Sequence, residues 1–350
     1  MGRLLSRVTR PRTQAQIQHL TPVAPDQAQG PVRRVFAQVE QDFGLLAPPI
    51  SLHAAAPGPL AAAWLMLRET LVATGRVRRA VKEAVAVTVS AANACPYCVD
   101  VHGIALHGLL PAHQAAAVTG GRADRLDAEL ARAVSWVRAA GEVSSRRPDR
   151  VAAGHRPELI GTAVTFHYLN RMVNIFLVPS PIPAGVPQRP RQAIARVAGR
   201  LMRSGLRRPA PPGASLGLLP ARRLPGDLAW TAGNPAVAEA FARAAGSITA
   251  AGERSVPAAV RALVEAELAA WDGRPPGVST SWVEQRLSGL PPELWPVGRL
   301  ALLTALASYQ VGPTVVAAYR RWRPDDRSLI EVTSWASLAA ARWWGSRLHQ

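Results

Sequence analysis

Cysteine is nearly absent from this sequence: only Cys95 and Cys98 occur in 350 residues. A small secreted scaffold held together by several disulfides is therefore excluded, because such scaffolds are dense in cysteine. In a reducing compartment, a close cysteine pair is more often catalytic or metal-binding than a structural disulfide. The sequence thus raises the question of what this one pair does.

Long hydrophobic runs are also missing. No stretch of about 20 uncharged apolar residues occurs, so the sequence predicts no membrane span. The N-terminal segment lacks the apolar core and the small-residue cleavage site of a secretory signal peptide. Together with the low cysteine content, these observations predict a cytoplasmic protein.

Lysine is represented by Lys82 alone, and arginines supply the other positive charges behind the formal net charge of +18. Nucleic-acid-binding surfaces typically gather their basic residues in one patch or stripe. Here the arginines are scattered along the chain, with no interleaved aromatic residues. The sequence therefore predicts a solvated basic surface and no nucleic-acid partner.

Aromatic residues make up only 5% of the chain, whereas Ala is abundant and hydrophobic residues reach 48%. Ala favours helices because it loses no side-chain entropy on entering one. Apolar residues recur at helical spacing through most of the chain, which predicts an all-α fold. One segment, AVAVTVS (84–90), alternates like a strand, and the residue pattern alone leaves it ambiguous.

Shifts in composition divide the chain into four predicted parts. Residues 1–30 form a basic N-terminal arm, 31–178 a helical domain with the cysteines, 179–225 a linker rich in Pro and Arg, and 226–350 a second helical domain. The linker contains one helical stretch, residues 191–208, with apolar residues on one face and arginines on the others. This pattern favours a connector helix packed on the body over a membrane-surface helix. The apolar residues of this stretch are Ile194, Val197 and Leu201.

The two helical domains align weakly with each other. Residues 81–95 align without gaps on 260–274, and residues 159–171 align on 329–341 in the same order. Conserved order and spacing predict an internal duplication with two degenerate copies. The second copy has no cysteine, so only the first can carry a site that depends on the pair. The second copy holds eight of the ten tryptophans, which predicts a packing or interface role.

The cysteine pair begins a predicted helix, with Pro96 in the first turn, where proline is tolerated. At about 100° per residue, Cys95, Cys98 and His102 share an arc of about 60°, and His107 falls outside it. A helix N-terminus stabilises a thiolate, and a nearby histidine can take or return its proton near neutral pH. Glu83 could orient the imidazole or relay a proton through water.

Several other interpretations of the pair compete with redox chemistry. Cys95, Cys98, His102 and Glu83 could ligate zinc, but structural zinc sites usually draw ligands from two separated pairs, and no second pair exists. A thioredoxin-like fold would need strands, which the chain hardly offers. Two buried core cysteines, or the switch of a partner-binding redox sensor, stay open as alternatives. We expect no metal and no cofactor.

A family resemblance rests on these same residues. The pattern of Glu83, Cys95, Cys98 and His102, set in the run VSAANACPYCVDVH (89–102), resembles the active-site signature of the alkylhydroperoxidase D group. This group belongs to the carboxymuconolactone decarboxylase-like superfamily. The later run FHYLNRMVN (166–174) is similar to a helix of the group, with Phe166, Asn170 and Arg171 at the matching positions.

The resemblance implies an all-α fold, a homo-oligomer, and a thiol peroxidase or related disulfide reductase. It implies that Cys98 is the thiolate that attacks a peroxide, that Cys95 is the resolving thiol, and that His102 and Glu83 relay protons. The implied partners are a peroxide substrate and a thiol reductant. One departure is Tyr97, because well-known peroxidase members carry a histidine there. Lactone decarboxylases generally lack the cysteine pair, so decarboxylation is the less favoured alternative.

Overall fold

The computed structural model describes residues 11, 13–140, 151–182 and 185–350, without the side chains of residues 188 and 189. This part of the chain consists of helices and the loops that join them. It contains no strand beyond one isolated bridge between Ile17 and Leu177. The predicted all-α fold class is confirmed.

The first eight helices are α1 (Gly30–Phe43), α2 (Pro48–Ser51), α3 (Pro57–Leu67, continued by a short π-helix at Arg68–Val72), α4 (Arg79–Ala92), α5 (Pro96–Leu109), α6 (Ala112–Thr119), α7 (Ala128–Ala139) and α8 (Arg156–Phe176). The others are α9 (Gln188–Leu206), α10 (Pro235–Ser255), α11 (Ala258–Ala270), α12 (Ser281–Leu287), α13 (Trp295–Ala307), α14 (Pro313–Trp322) and α15 (Asp326–His349).

The ambiguous segment 84–90 lies inside helix α4. Every residue from Ala80 to Ser90 is buried, so the helix has no solvent face that would give its sequence a 3.6-residue period. Short apolar runs of this kind cannot be assigned by periodicity alone. The preference for helix that the resemblance implied is therefore correct.

One continuous apolar core spans both halves of the chain. Within this core, helices α8 and α15 make the most extensive contact between two helices in the described structure. Tyr168 of α8 donates a hydrogen bond from its hydroxyl to Ser334 of α15 at 3.1 Å. Arg171 of α8 donates to the carbonyl of Ala305 in α13 at 3.0 Å. The two predicted copies are therefore joined by buried polar contacts as well as apolar packing.

Two buried carboxylates stand in comparable places in the two halves. Glu158, near the start of α8, binds the segment that leads into α4 through the backbone N–H of Arg76 at 2.8 Å. Glu331, near the start of α15, accepts hydrogen bonds from Arg254 and Ser255 at the end of α10. In each half, a long helix thus holds the connection between two earlier helices. In the alignment of the two halves the two glutamates lie about one helical turn apart, and the domain boundaries stay a prediction.

The described part of the predicted N-terminal arm contacts the body. The backbone N–H of residue 18 bonds the carbonyl of Phe176, and that of Val178 bonds the carbonyl of Gln16. The backbone N–H of Thr21 donates to Asp326 at 2.8 Å. Residues 1–10 and 12 of the arm lie outside the described residues.

Helix α9, inside the predicted linker, packs on α5, as expected of a connector helix. The packing face, however, is not the apolar face that the sequence suggested. Ile194, Val197 and Leu201 are exposed, with 79% of Leu201 accessible. Gly199 instead faces Gly108 so closely that a Cβ on either would meet the other's backbone within 2.8 Å. The two glycines allow the helix backbones to approach closely because neither has a Cβ. A hydropathy pattern does not detect such a contact, because glycine contributes almost no apolar side chain.

No helix in the described ranges is long and apolar enough to cross a membrane.

Candidate functional site

The cysteine pair lies at a sharp junction between α4 and α5. Helix α4 ends at Ala92, and Ala94 takes a left-handed conformation with φ of 49°, which is uncommon for a residue with a Cβ. The backbone N–H of Cys95 returns to the carbonyl of Ser90 at 2.9 Å, and Cys95 stands at the N-cap of α5. The turn therefore places both sulfurs at the positive end of α5.

The two sulfurs are 2.9 Å apart, and both cysteines are free and buried. Burial raises the pKa of the Cys98 thiol well above its usual range, and the neighbouring Cys95 acts in the same direction. Asn170 and Ser90 lower the pKa of Cys98, but their effect is smaller. The resting Cys98 is therefore a neutral thiol at pH 7, and a base must remove its proton before it can attack.

Glu83 and His102 form a close pair beside the cysteines. The Oε2 of Glu83 lies 2.6 Å from the Nδ1 of His102, and its Oε1 accepts a hydrogen bond from Arg79 at 2.7 Å. Burial by itself would raise the pKa of Glu83, but Arg79 and His102 outweigh it and lower the pKa to about 2. The carboxylate is therefore ionised and fixes Nδ1 of the imidazole. The ring also packs edge-on against Phe166, with centroids 4.6 Å apart.

The structure thus joins the four predicted site residues as two pairs, Cys95 with Cys98 and Glu83 with His102. Within the described chain, no hydrogen bond links His102 directly to either sulfur, so a water or a substrate oxygen must complete the path. Since Nδ1 is held by Glu83, Nε2 is the nitrogen left for that path.

Two other polar residues of α5, Asp100 and His107, make their contacts away from the cysteines. Asp100 pairs with Arg191 of α9 at 2.5 Å and accepts from Ser180 at 2.6 Å. His107 lies against α9, where its Cβ is close to Gly199. Neither side chain takes part in the cysteine site.

A polar network behind Cys98 was not assigned a role from the sequence. Asn170 donates to the hydroxyl of Ser90 at 3.0 Å and accepts from Asn93 at 3.0 Å. The Asn93 amide also donates to Nδ1 of His167 at 3.1 Å. Ser90 and Asn93 stand in the same run as the cysteines, and Asn170 stands in the FHYLNRMVN run. Their positions in those two runs were the one sequence feature that pointed to a role. The sequence could not show that they contact each other, because those contacts depend on the tertiary fold.

Tyr97, between the two cysteines, is buried and points away from solvent. Its hydroxyl donates to the side chain of Gln16 in the N-terminal segment at 2.8 Å. Burial raises its pKa above the usual value, so the phenol stays neutral at physiological pH. Tyr97 therefore supplies no proton-transfer group and instead anchors residues 16–18 over the site.

The cysteine, histidine and glutamate side chains of the site could also be metal ligands by residue type. In the part of the chain that the structure describes, no three His, Cys, Asp or Glu side chains are arranged to hold a metal ion.

Comparisons with known proteins match most of the chain and, within it, the segment that contains the cysteines. Residues 58–139, which include all four predicted site residues, match the carboxymuconolactone decarboxylase family. Over 334 residues, the chain is 36% identical to the alkyl hydroperoxide reductase Rv2159c of Mycobacterium tuberculosis, covering 94% of each protein. No solved structure matches the chain.

Proposed function

The chain belongs to the carboxymuconolactone decarboxylase family, and we propose that it acts as a thiol-dependent hydroperoxide reductase. The observation that carries this proposal is the pair of buried free thiols beside the hydrogen-bonded Glu83–His102 pair. The printed name of the Mycobacterium tuberculosis relative, an alkyl hydroperoxide reductase, supports the same substrate class.

The first step oxidises Cys98. His102, held by Glu83, takes the proton of Cys98 through a water or a peroxide oxygen, and the thiolate attacks one oxygen of the hydroperoxide. The O–O bond breaks, a sulfenic acid forms on Cys98, and the alkoxide leaves as an alcohol with the proton from His102. Cys98 loses two electrons and the peroxide gains them.

The second step forms a disulfide. The Cys95 sulfur attacks the Cys98 sulfenic acid, the S–O bond breaks, and one water leaves with the proton of Cys95. The 2.9 Å sulfur separation favours this step because little movement is needed to reach a disulfide bond of about 2.05 Å. A dithiol reductant then returns two electrons and two protons and is itself oxidised to a disulfide.

A redox-sensing protein of the same fold is the second candidate function. Two observations favour it: the raised pKa of Cys98 slows thiolate formation, and Tyr97 offers no proton-transfer group between the cysteines. A sensor would react once per chain, whereas a peroxidase consumes many equivalents of peroxide.

The decisive experiment measures consumption of an organic hydroperoxide with a small dithiol as reductant. Wild type should turn over repeatedly, Cys98→Ser should consume none, and Cys95→Ser should accumulate a sulfenic acid that a dimedone probe traps. Loss of His102 in His102→Ala should slow turnover about 100-fold. The exposed His113→Ala serves as the matched control and should match wild type.

Two outcomes would separate the candidates. One equivalent consumed by wild type, with no further turnover, would replace the peroxidase with the sensor. A Cys98→Ser protein that still turned over would show that Cys98 is not the attacking thiol in either candidate function.

Assembly and location form a further part of this proposal. We propose a homo-oligomer in the cytoplasm, in keeping with the resemblance and the sequence composition. Light scattering on the purified protein should give a mass that is a multiple of 37.3 kDa. A monomer mass would contradict the oligomer.

A further inference from the structure

A cavity of about 150 Å³ lies at the seam between the two halves of the chain. Asn93 and Arg171 form its wall on the side of the cysteine domain. The second half contributes Trp271, Tyr309 and Trp344. The cavity is thus mostly apolar and aromatic, with a few polar groups converging on it, which is typical of small-molecule sites.

Arg171 is a buried cation without a carboxylate partner. Its Nε donates to the carbonyl of Ala305 at 3.0 Å, and its Nη1 donates to the carbonyl of His167 at 2.7 Å. Across the described residues, no acidic side chain pairs with the guanidinium, and Nη2 has no hydrogen-bond acceptor. Burial lowers the pKa of Arg171 to about 9, so the group keeps its charge at pH 7. An unpaired buried charge is costly, and an anion beside it would remove much of that cost.

Trp344 forms an aromatic part of the cavity wall. Trp344 is 8% exposed, and its indole Nε1 has almost no accessible surface and no hydrogen-bond partner in the described structure. Its ring stacks on His167, with centroids 4.6 Å apart and planes 3° from parallel, so the indole is held in place. The wall therefore presents the ring of Trp344 to the cavity, and not its N–H.

We propose that this cavity is a binding site for a small organic carboxylate with an aromatic or compact apolar body. The guanidinium of Arg171 takes the carboxylate, and the aromatic walls contact the apolar body. Charge-assisted hydrogen bonds of this kind are stronger than neutral ones. A cavity of about 150 Å³ accommodates a benzene-sized ring, which makes benzoate a suitable probe.

The chemistry of the walls selects against other ligands. A cation is repelled by Arg171. The hydroxyl of Ser308, another wall residue, accepts a hydrogen bond from Asn174 at 3.0 Å, and its O–H can still donate to an anion. A monocarboxylate matches the single positive charge of Arg171.

This binding site is independent of the proposed peroxidase activity, although the two are close in the structure. Asn93, in the cavity wall, is the residue whose amide bonds Asn170 behind Cys98. Carboxylate binding can therefore be measured on a protein with no peroxidase activity, and its failure would leave the peroxidase proposal untouched.

The test is calorimetric titration of the full chain with benzoate and with its neutral isostere benzamide. Benzoate should bind at least about tenfold more tightly than benzamide, because a hydrogen bond to a charged group contributes about 1.5–3 kcal/mol. Arg171→Lys keeps a positive charge in the wall and should keep a preference for benzoate over benzamide. Arg171→Met should abolish the preference for benzoate over benzamide.

The control is Arg299→Met, because this arginine on α13 lies outside the cavity wall. It should bind benzoate as wild type does. Equal affinities for benzoate and benzamide, or no benzoate binding by wild type, would overturn the proposal. Should Arg171→Met fail to fold, Arg171→Lys and the benzamide comparison decide the question, and equal affinities of Arg171→Lys for benzoate and benzamide would count against the assigned cation.

Discussion

At the scale of single residues, Glu83 is almost fully buried and contacts both Arg79 and His102 in the cysteine site. Its folded-state pKa of about 2 lies below its ordinary value of 4.5. A carboxylate with a depressed pKa stabilises the fold fully above its unfolded pKa, and that contribution is lost as the pH falls through the folded pKa. The relevant window therefore runs from about pH 4.5 down to about pH 2.

The corresponding prediction concerns Glu83→Gln. The substitution should lower the free energy of unfolding by about 3 kcal/mol at pH 7, because 2.5 pKa units correspond to that amount. At pH 3.5, the difference from wild type should be about 1 kcal/mol smaller. Urea unfolding at both pH values checks this. Glu129→Gln, which removes an exposed partner of Arg78, should cost less than about 1 kcal/mol at either pH. A Glu83→Gln deficit that did not shrink at low pH would contradict the ionised state.

A second prediction at this scale concerns Cys98. Because burial raises its pKa above neutrality, the thiolate fraction that forms without a general base should grow about tenfold per pH unit through the neutral range. The rate of the first oxidation in His102→Ala, measured in a single turnover from pH 6 to pH 9, should rise accordingly without a plateau near pH 7. A His102→Ala rate that is flat between pH 6 and pH 8 would mean that the thiolate already exists at rest.

The sequence indicated the candidate residues of this site more fully than the groups that surround them. Helical spacing placed Cys95, Cys98 and His102 on one face, and their positions follow from local geometry alone. The unpaired guanidinium of Arg171 could not be predicted, because its neighbours come from α13 and α15, more than 100 residues away in the chain. Which buried charge lacks a partner is a property of the tertiary fold.

At the scale of helices, the contact between α5 and α9 depends on two glycines. A Cβ on Gly199 would lie 2.6 Å from the carbonyl oxygen of Ile104 and 2.8 Å from the backbone N of Gly108. Backbone atoms cannot rotate away as side chains can, so the helices would have to separate. Gly205, also in α9, has open space around its Cβ position.

We therefore expect opposite effects from two identical substitutions. Gly199→Ala should destabilise the docking of α9 by about 1–3 kcal/mol, as overpacking does in cores. Gly205→Ala should stabilise the helix by up to about 1 kcal/mol, because Ala is the better helix former. Hydrogen exchange of the α9 amides measures both effects. Equal protection in the two variants would show that the α5–α9 contact is not close.

The same pair of helices shows what periodicity can predict. The apolar spacing of residues 191–208 correctly indicated a helix, because local spacing governs helix formation. It indicated the wrong packing face, since pattern analysis ranks faces by hydropathy, and Gly199 contributes none. Exposed Leu201 and buried Gly199 are therefore the reverse of what that ranking gives.

At the scale of the whole molecule, composition predicted two helical domains joined by a linker, whereas the described core is continuous across both. The buried pair of α8 and α15 provides most of that continuity. Weak internal similarity can indicate a duplication, but it carries no information on how tightly two copies pack. Cooperativity of unfolding is the property that separates two domains from one unit.

Lys82, the chain's one lysine, makes this cooperativity measurable. Its amine lies 2.7 Å from Glu158 and also donates to the carbonyl of Ala73, and only 2% of the side chain is exposed. An amine-reactive ester can therefore label Lys82 only when the first half opens. Tryptophan fluorescence, in contrast, mainly reports the second half, which holds eight of the ten tryptophans. The two signals thus report the two predicted copies separately.

Because one core joins the halves, we expect Lys82 labelling and the change in tryptophan fluorescence to share one urea midpoint, as a cooperative two-state transition requires. Peptide mass spectrometry after a short labelling pulse at each urea concentration gives the first curve. Arg171→Met, which removes a contact between the halves at Ala305, should shift both midpoints together. Labelling of Lys82 at lower urea than the fluorescence change would instead indicate two separately folding domains, as the composition of the sequence suggested.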